Sequence, residues 1–304
     1  MYTHDEEKVS ITCALPLYRS GKIAWLALES LCRQKNIDFD WELIVCEELI
    51  HQGMTFEPGE VLYHEGLMEY ESRLKEVRCK RIKYIGLNEW IPLSDKWVEI
   101  AKSSNSDYFL LVAADCYSQP YRLKESFDLF EGGVDWMQSP VGVFYNISNQ
   151  SMAMFDASLS NHPCSLNMGM RTELVRLFPP KAGIRKSVDS WLFNRTKSEC
   201  LKMHGRYIKV GTNKSENWKY GLDSHGYNQI SKGRGKMIGG EGLIPVRPFR
   251  LPKEGEPSSI SEILPDDIVS RLGGLPPITQ TESIGPASQS SRRLSRISNK
   301  LSSI

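Results

Sequence analysis

A chain of 304 residues with 38 Lys+Arg against 37 Asp+Glu, a net charge of +1 and 40% hydrophobic residues has the apolar content of a folded domain. It lacks the cationic excess that draws proteins to polyanions, so nucleic acid is not an expected partner. No apolar run reaches the roughly 18–20 residues of a bilayer-spanning helix, and the opening MYTHDEEKVSITCALPLY is acidic before it is apolar, unlike a secretory signal.

Val9 to Leu15 is a β-rich run that Pro16 is expected to end, and it reads as the first strand. Tyr18-Arg19-Ser20-Gly21 follows as a loop. From about Lys22 to Gln34, Ile23, Leu26, Ala27 and Leu31 recur at helical spacing, the face of a helix laid on a sheet. Trp41 to Cys46 is a second strand with Glu47 and Glu48 at its C-terminal end, which completes a β-α-β unit. Leu49 to Gly66 reads as a surface loop, Leu67 to Cys79 as one charged amphipathic helix, and Arg81 to Ile85 as a third strand. Leu93 to Ser103 is helical, with Trp97, Ile100 and Ala101 turned inward.

The pivot of the chain is DYFLLVAADCYSQP, residues 107–120. Tyr108 to Val112 is a continuous apolar run, the signature of a strand covered on both faces. The small pair Ala113-Ala114 then leads to Asp115, and Ser118-Gln119-Pro120 turns the chain into a helical pattern. A carboxylate at the C-terminal end of a central parallel strand stands where open α/β sheets bind ligands; the alternative role for Asp115 is to cap the turn that follows.

After Gly132-Gly133, Val134 to Tyr145 and Ser151 to Phe155 look like longer strands, Cys164 to Met170 like a short one, and Arg171 to Leu177 like a helix. Ser187 to Lys197 reads as a helix and Met203 to Val210 as a strand. From Gly211 the sequence is rich in glycine. Three regions follow from this: an α/β half over 1–130, a second half of the same domain over 131–250, and a largely disordered extension over 251–304. In the extension, Ile263 to Leu272 has the pattern of a short helix. Leu294, Ile297, Leu301 and Ile304 fall on one helical stripe beside Arg292, Arg293, Arg296 and Lys300. A basic amphipathic end of this kind can lie on an anionic membrane or dock a partner, and a solvated tail is the simpler reading.

The seven cysteines are scattered and form no CxxC pair, so they read as free residues of a reducing cytoplasm. The sequons at Asn146, Asn149, Asn194 and Asn213 then carry no glycan. His4, His51, His64, His162 and His204 show no ligand spacing for a metal.

The order of these features resembles the nucleotide-binding half of a family 2 glycosyltransferase of the GT-A fold, over roughly residues 9–200. LIVCEE resembles that family's strand ending in paired aspartates, and LLVAADCYSQP its LDADD…P segment. NMGMRTELV resembles the small-residue strand and Arg-led helix of the acceptor region, and KSVDSWLFNR the later acidic motif. The resemblance implies a three-layer α/β/α sandwich with a mostly parallel sheet. It also implies a nucleotide-sugar donor, inversion at the sugar, and a Mg²⁺ or Mn²⁺ ion on the diphosphate.

Carried over residue by residue, it makes Asp115 the metal ligand and Asp189 the general base that takes the acceptor's proton. Pro16, Tyr18, Glu47, Glu48, Lys96, Ala114 and Asp115 become the donor site, with Lys96 reaching toward the diphosphate and His225 adding a metal or phosphate contact. The chain departs from the family pattern at Ala113, where an aspartate is expected, and at Cys116. One carboxylate would then do the work of two or three, with the metal held mostly through phosphate and water. The acceptor could be a saccharide, a lipid-linked saccharide or a protein. A non-catalytic nucleotide- or sugar-binding relative is the second reading. A nucleotidyltransferase is the third, disfavoured because no glycine-rich basic loop follows the first strand.

Overall fold

The computed structural model describes residues 8–51, 54–56, 58–138, 141–146, 151–156, 168–177, 221–223 and 249–273. A strand covered on both faces needs apolar side chains at odd and even positions alike. Val9–Leu17 (β1) and Trp41–Glu48 (β2) have them: every residue of β2 is buried, and only Ser10 and Pro16 of β1 are partly exposed. Between them lies Gly21–Cys32 (α1). The short hairpin Ile50–His51 (β3) and Met54–Thr55 (β4) follows, then Tyr63–Met68 (α2), Glu71–Glu76 (α3), Cys79–Leu87 (β5) and Leu93–Ser103 (α4). Ser106–Leu111 (β6), Cys116–Tyr117 (β7) and Arg122–Glu131 (α5) complete the first half.

Beyond it come Trp136–Gln138 (β8), Val141–Asn146 (β9), Ser151–Asp156 (β10), Met168–Arg171 (β11), Thr172–Leu177 (α6), Gly221–Asp223 (β12) and Phe249–Arg250 (β13). A 3-10 turn at Ile260–Glu262 precedes Asp266–Gly273 (α7).

The main sheet has the order β5-β2-β1-β6-β11-β8. Its first four strands are parallel, and β11 runs antiparallel to both its neighbours. Alternate residues feed two cores. Ile11, Cys13, Leu15 and Leu17 pack with α1 residues such as Leu28 on one face. Ala14, Ile44, Cys46, Phe109 and Leu111 pack with Trp97, Ile100 and Ala101 of α4 and Leu174 and Val175 of α6 on the other. The result is a three-layer α/β/α sandwich, as the strand–helix alternation predicts. A second sheet, β13-β10-β9-β12-β7, shares residues Tyr117, Val143, Tyr145 and Met154 with the α1-side core. Among the described residues no helix is long and apolar enough to cross a membrane.

Five expectations change. The stretch 49–66, expected as a loop, holds the β3–β4 hairpin and the first four residues of α2. Pro16 does not end β1, which runs on to Leu17 paired with β2. The helix expected over 67–79 is two helices, α2 and α3. The two part at Glu69–Tyr70, where the Tyr70 N–H turns back to the Leu67 carbonyl at 3.1 Å. Beyond the end of α3, Arg78 takes positive φ (64°) and the Trp41 indole N–H donates to the Val77 carbonyl at 2.6 Å as Cys79 enters β5. The long strand expected over 134–145 is β8 and β9, which belong to different sheets.

The extension from 251 is packed structure as far as 273. Ile260, Leu264, Ile268 and Leu272 form one buried stripe in the core that holds Trp25, while Asp267 bonds Arg33 at 2.5 and 3.1 Å and Arg271 lies 3.9 Å over the Trp25 ring. Ile268→Ala should therefore lower the unfolding free energy by about 2–4 kcal/mol, as removing a buried isoleucine does elsewhere; urea titration of the full chain checks this. The helix and strand expected at 187–197 and 203–210, and the tail from 279, lie outside the described residues.

Candidate functional site

The connection from β1 through α1 to β2 runs along one face of the sheet, and that from β5 through α4 to β6 along the other. Strand order therefore reverses between β1 and β6, and the C-terminal ends of those strands are where such sheets open a ligand crevice. Pro16 opens it. The last β1–β6 rung is the Val112 N–H donating to the Ala14 carbonyl at 2.9 Å. The next rung needs an N–H at residue 16, which proline lacks. On its other side β1 stays paired, Pro16 with Cys46 and Leu17 with Glu47, so the two strands part company only toward β6.

Asp115 stands at that opening, partly exposed, in a turn closed by the Cys116 N–H on the Ala113 carbonyl at 3.1 Å, with Ala114 buried beneath. The Cys116 thiol donates to Asp115 Oδ1 at 3.5 Å. Two buried side chains that the sequence reading passed over brace the segment. Arg122 gives Nη2 to the Leu111 carbonyl and Nη1 to Ser118 Oγ, each at 2.7 Å. Gln34 donates to the Gln119 carbonyl at 2.9 Å and accepts the Leu123 N–H at 3.0 Å. The pairing of β7 with β12 also sets Asp223 opposite Cys116.

The two acids of β2 face inward and are wholly buried. Glu47 accepts the N–H groups of Leu62 at 2.8 Å and Tyr63 at 3.0 Å and the Tyr84 hydroxyl at 2.7 Å. Burial pushes its carboxyl above the usual range, against the opposing pull of those donors. Glu48 Oε1 accepts Lys96 Nζ at 2.9 Å and the Ile91 N–H at 3.2 Å. Lys96, itself buried, also donates to the Leu17 carbonyl at 2.6 Å and lies 5.4 Å over the Tyr18 ring. Burial pulls the Lys96 ammonium below its ordinary value, and Glu48 works the other way.

The structure thus brings Pro16, Tyr18, Glu47, Glu48, Lys96, Ala114 and Asp115 to one edge of the sheet, the edge the sequence reading chose. It places them at different depths. Tyr18, 40% exposed, and Asp115 reach the surface; Glu47, Glu48 and Lys96 form a polar floor under the β1 end. Asp189 and His225 lie outside the described residues. Burial pushes the thiols of Cys46, level with Pro16, and of Cys13, deeper in β1, up to about 12. Among the described residues no three His, Cys, Asp or Glu side chains gather as a ready-made metal site.

No family model and no curated protein matches the chain. Among solved structures it is similar to S. aureus TarS 1–349 in complex with UDP, with 14% identity, a TM-score of 0.47, and coverage of 71% of this chain and 61% of that one. It is also similar to the mannosyltransferase PcManGT from Pyrobaculum calidifontis in complex with GDP-Man and Mn²⁺, with 10% identity, a TM-score of 0.49, and coverage of 72% and 58%. The chain spans less than two thirds of either, and one third of the longer TarS chain (33%).

Proposed function

We propose that the protein is a glycosyltransferase that binds a nucleotide-sugar donor in the crevice between β1 and β6. The observation that carries this reading is the placement of Asp115. A carboxylate reaches the surface where strand order reverses, at a ladder that Pro16 cuts short, and its turn is held by Arg122 and Gln34. That is the place and the chemistry for a charged diphosphate and its counter-ion.

A divalent cation fits the residues present in one manner only. Mg²⁺ and Mn²⁺ take oxygen ligands, and Mg²⁺ is commonly held by one or two carboxylates together with substrate phosphates. Asp115 would hold it, with Asp223 as a second acid by strand register and His225 as a candidate from the sequence. When bound, the ion would neutralise the charge developing on the departing nucleoside diphosphate. Tyr18 would offer a ring face at the mouth of the crevice, and Asp189 would take the acceptor's proton in an inverting displacement. The acceptor would be a saccharide, a lipid-linked saccharide or a protein. The reading places the enzyme in the cytoplasm, with residues 292–304 as its candidate contact with an anionic membrane.

Purified protein with Mn²⁺ and a panel of UDP-, GDP- and dTDP-sugars should release nucleoside diphosphate slowly and show a nucleotide-induced rise in melting temperature. Silence of both signals across the panel would overturn the reading. The second reading, a non-catalytic nucleotide-binding relative, draws support from Ala113 and from the engagement of Glu47 and Glu48 by the chain's own groups. Nucleotide binding indifferent to metal, without turnover, would favour it.

A further inference from the structure

The segment 59–63 lies across the loop that joins β1 to α1, backbone against backbone. The Gly21 N–H donates to the Glu60 carbonyl at 2.9 Å. A Cβ on Gly21 would stand 2.6 Å from the Gly59 oxygen and 2.7–2.8 Å from the Val61 carbonyl atoms, so only glycine permits this approach. The Arg19 guanidinium, on a residue with φ 49°, bonds the Glu60 carboxylate at 2.5 and 3.0 Å. The far end of the segment is held by Glu47, whose two oxygens take the Leu62 and Tyr63 N–H groups. Tyr63 is itself in the left-handed region, a conformation that persists only where its surroundings impose it.

We propose that Glu47 is a positioning residue: through the Leu62 and Tyr63 amides it fixes segment 59–63, and through that segment the Tyr18–Gly21 loop that walls the crevice on the β1 side. The inference rests on reading that crevice as the nucleotide site, and it departs from the place in the donor site itself that the family resemblance gives this residue. A fully buried carboxylate that already accepts two amides and a phenol presents no oxygen to a ligand. An ionised acceptor makes amide bonds roughly twice as strong as a neutral one does, which suits it to holding a strained segment in place. Glu48 serves the same loop from the other side, because Lys96 links it to the Leu17 carbonyl and the Tyr18 ring.

The test compares wild type with Glu47→Ala, Glu47→Gln and Gly21→Ala. Amide hydrogen exchange is read on the free protein, and UDP and GDP affinity in the presence of Mn²⁺ by calorimetry. Gly21→Ala leaves Glu47 untouched and displaces the segment from the other end. Glu47→Ala and Gly21→Ala should both accelerate exchange over 58–65 and over 18–24, leaving 106–112 protected, and both should weaken the nucleotide that binds by about tenfold, the expected cost of a disordered wall. Glu47→Gln, which keeps one acceptor oxygen, should fall between.

Acceleration confined to 62–63, or melting shifts with unchanged nucleotide affinity, would overturn the proposal. So would a Gly21→Ala protein that binds as wild type while both Glu47 variants lose affinity equally, the pattern of a direct ligand. If wild type binds neither nucleotide, the donor-site reading falls, and the exchange pattern alone still decides whether Glu47 sets the loop.

Discussion

Asp115→Asn should remove metal-dependent donor turnover while leaving the fold's stability within about 0.5 kcal/mol of wild type, the usual range for a surface substitution. The side chain is partly exposed and its turn is closed by backbone and braced by Arg122 and Gln34, none of which the change touches. What the change deletes is one negative charge at the crevice. A metal that neutralises a leaving diphosphate is worth several kcal/mol of transition-state stabilisation, so losing its protein ligand should slow turnover on the order of 10³-fold. Donor hydrolysis with Mn²⁺, run beside thermal unfolding of the same preparations, gives both numbers. The opposite pattern, a lowered melting temperature with turnover intact, would make Asp115 a cap for the Cys116 turn and nothing more.

The main sheet was legible because the fold's largest energies are written in short runs. The continuous apolar stretches around Leu43 and Leu110 can sit only in strands covered on both faces, and the stripe of Ile23, Leu26, Ala27 and Leu31 can lie only on a sheet. The place of Asp115 was legible for the same reason, since a carboxylate four residues past the end of such a strand must emerge at its rim. Depth was not legible. Glu47 and Glu48 look alike in sequence and like ligands, and only coordinates show that Leu62, Tyr63 and Tyr84 engage both oxygens of Glu47 and that Ile91 and Lys96 engage Oε1 of Glu48, all from at least 14 positions away in the chain.

The outer bounds of α2 and α3 were hidden likewise. Glu47 holds the amides at the start of α2 and Trp41 takes a carbonyl just past the end of α3, both from β2, and local periodicity carries no trace of either. Arg122 and Gln34 read as ordinary helix residues until their long-range partners are known.

The polar floor yields the second large effect. Lys96→Met should destabilise the protein by about 3–5 kcal/mol, the cost of stranding a buried charge when its partner is removed. Glu48 is wholly buried, and Lys96, its ion-pair partner at 2.9 Å, is also the donor to the Leu17 carbonyl. A buried ion pair is not itself strongly stabilising, because bringing both charges out of water offsets most of their attraction. The double variant Lys96→Met with Glu48→Leu should therefore recover most of the loss, leaving a deficit of about 1–2 kcal/mol for the Leu17 carbonyl and the Ile91 N–H that lose their partners.

Urea unfolding of the four proteins of this cycle measures the coupling directly. If the double variant is as unstable as Lys96→Met alone, the pair contributes packing and not charge balance. If both variants fold and the double one keeps nucleotide affinity, Lys96 cannot be the diphosphate contact that its place ahead of β6 suggests, and its role reduces to holding the end of β1 against β2.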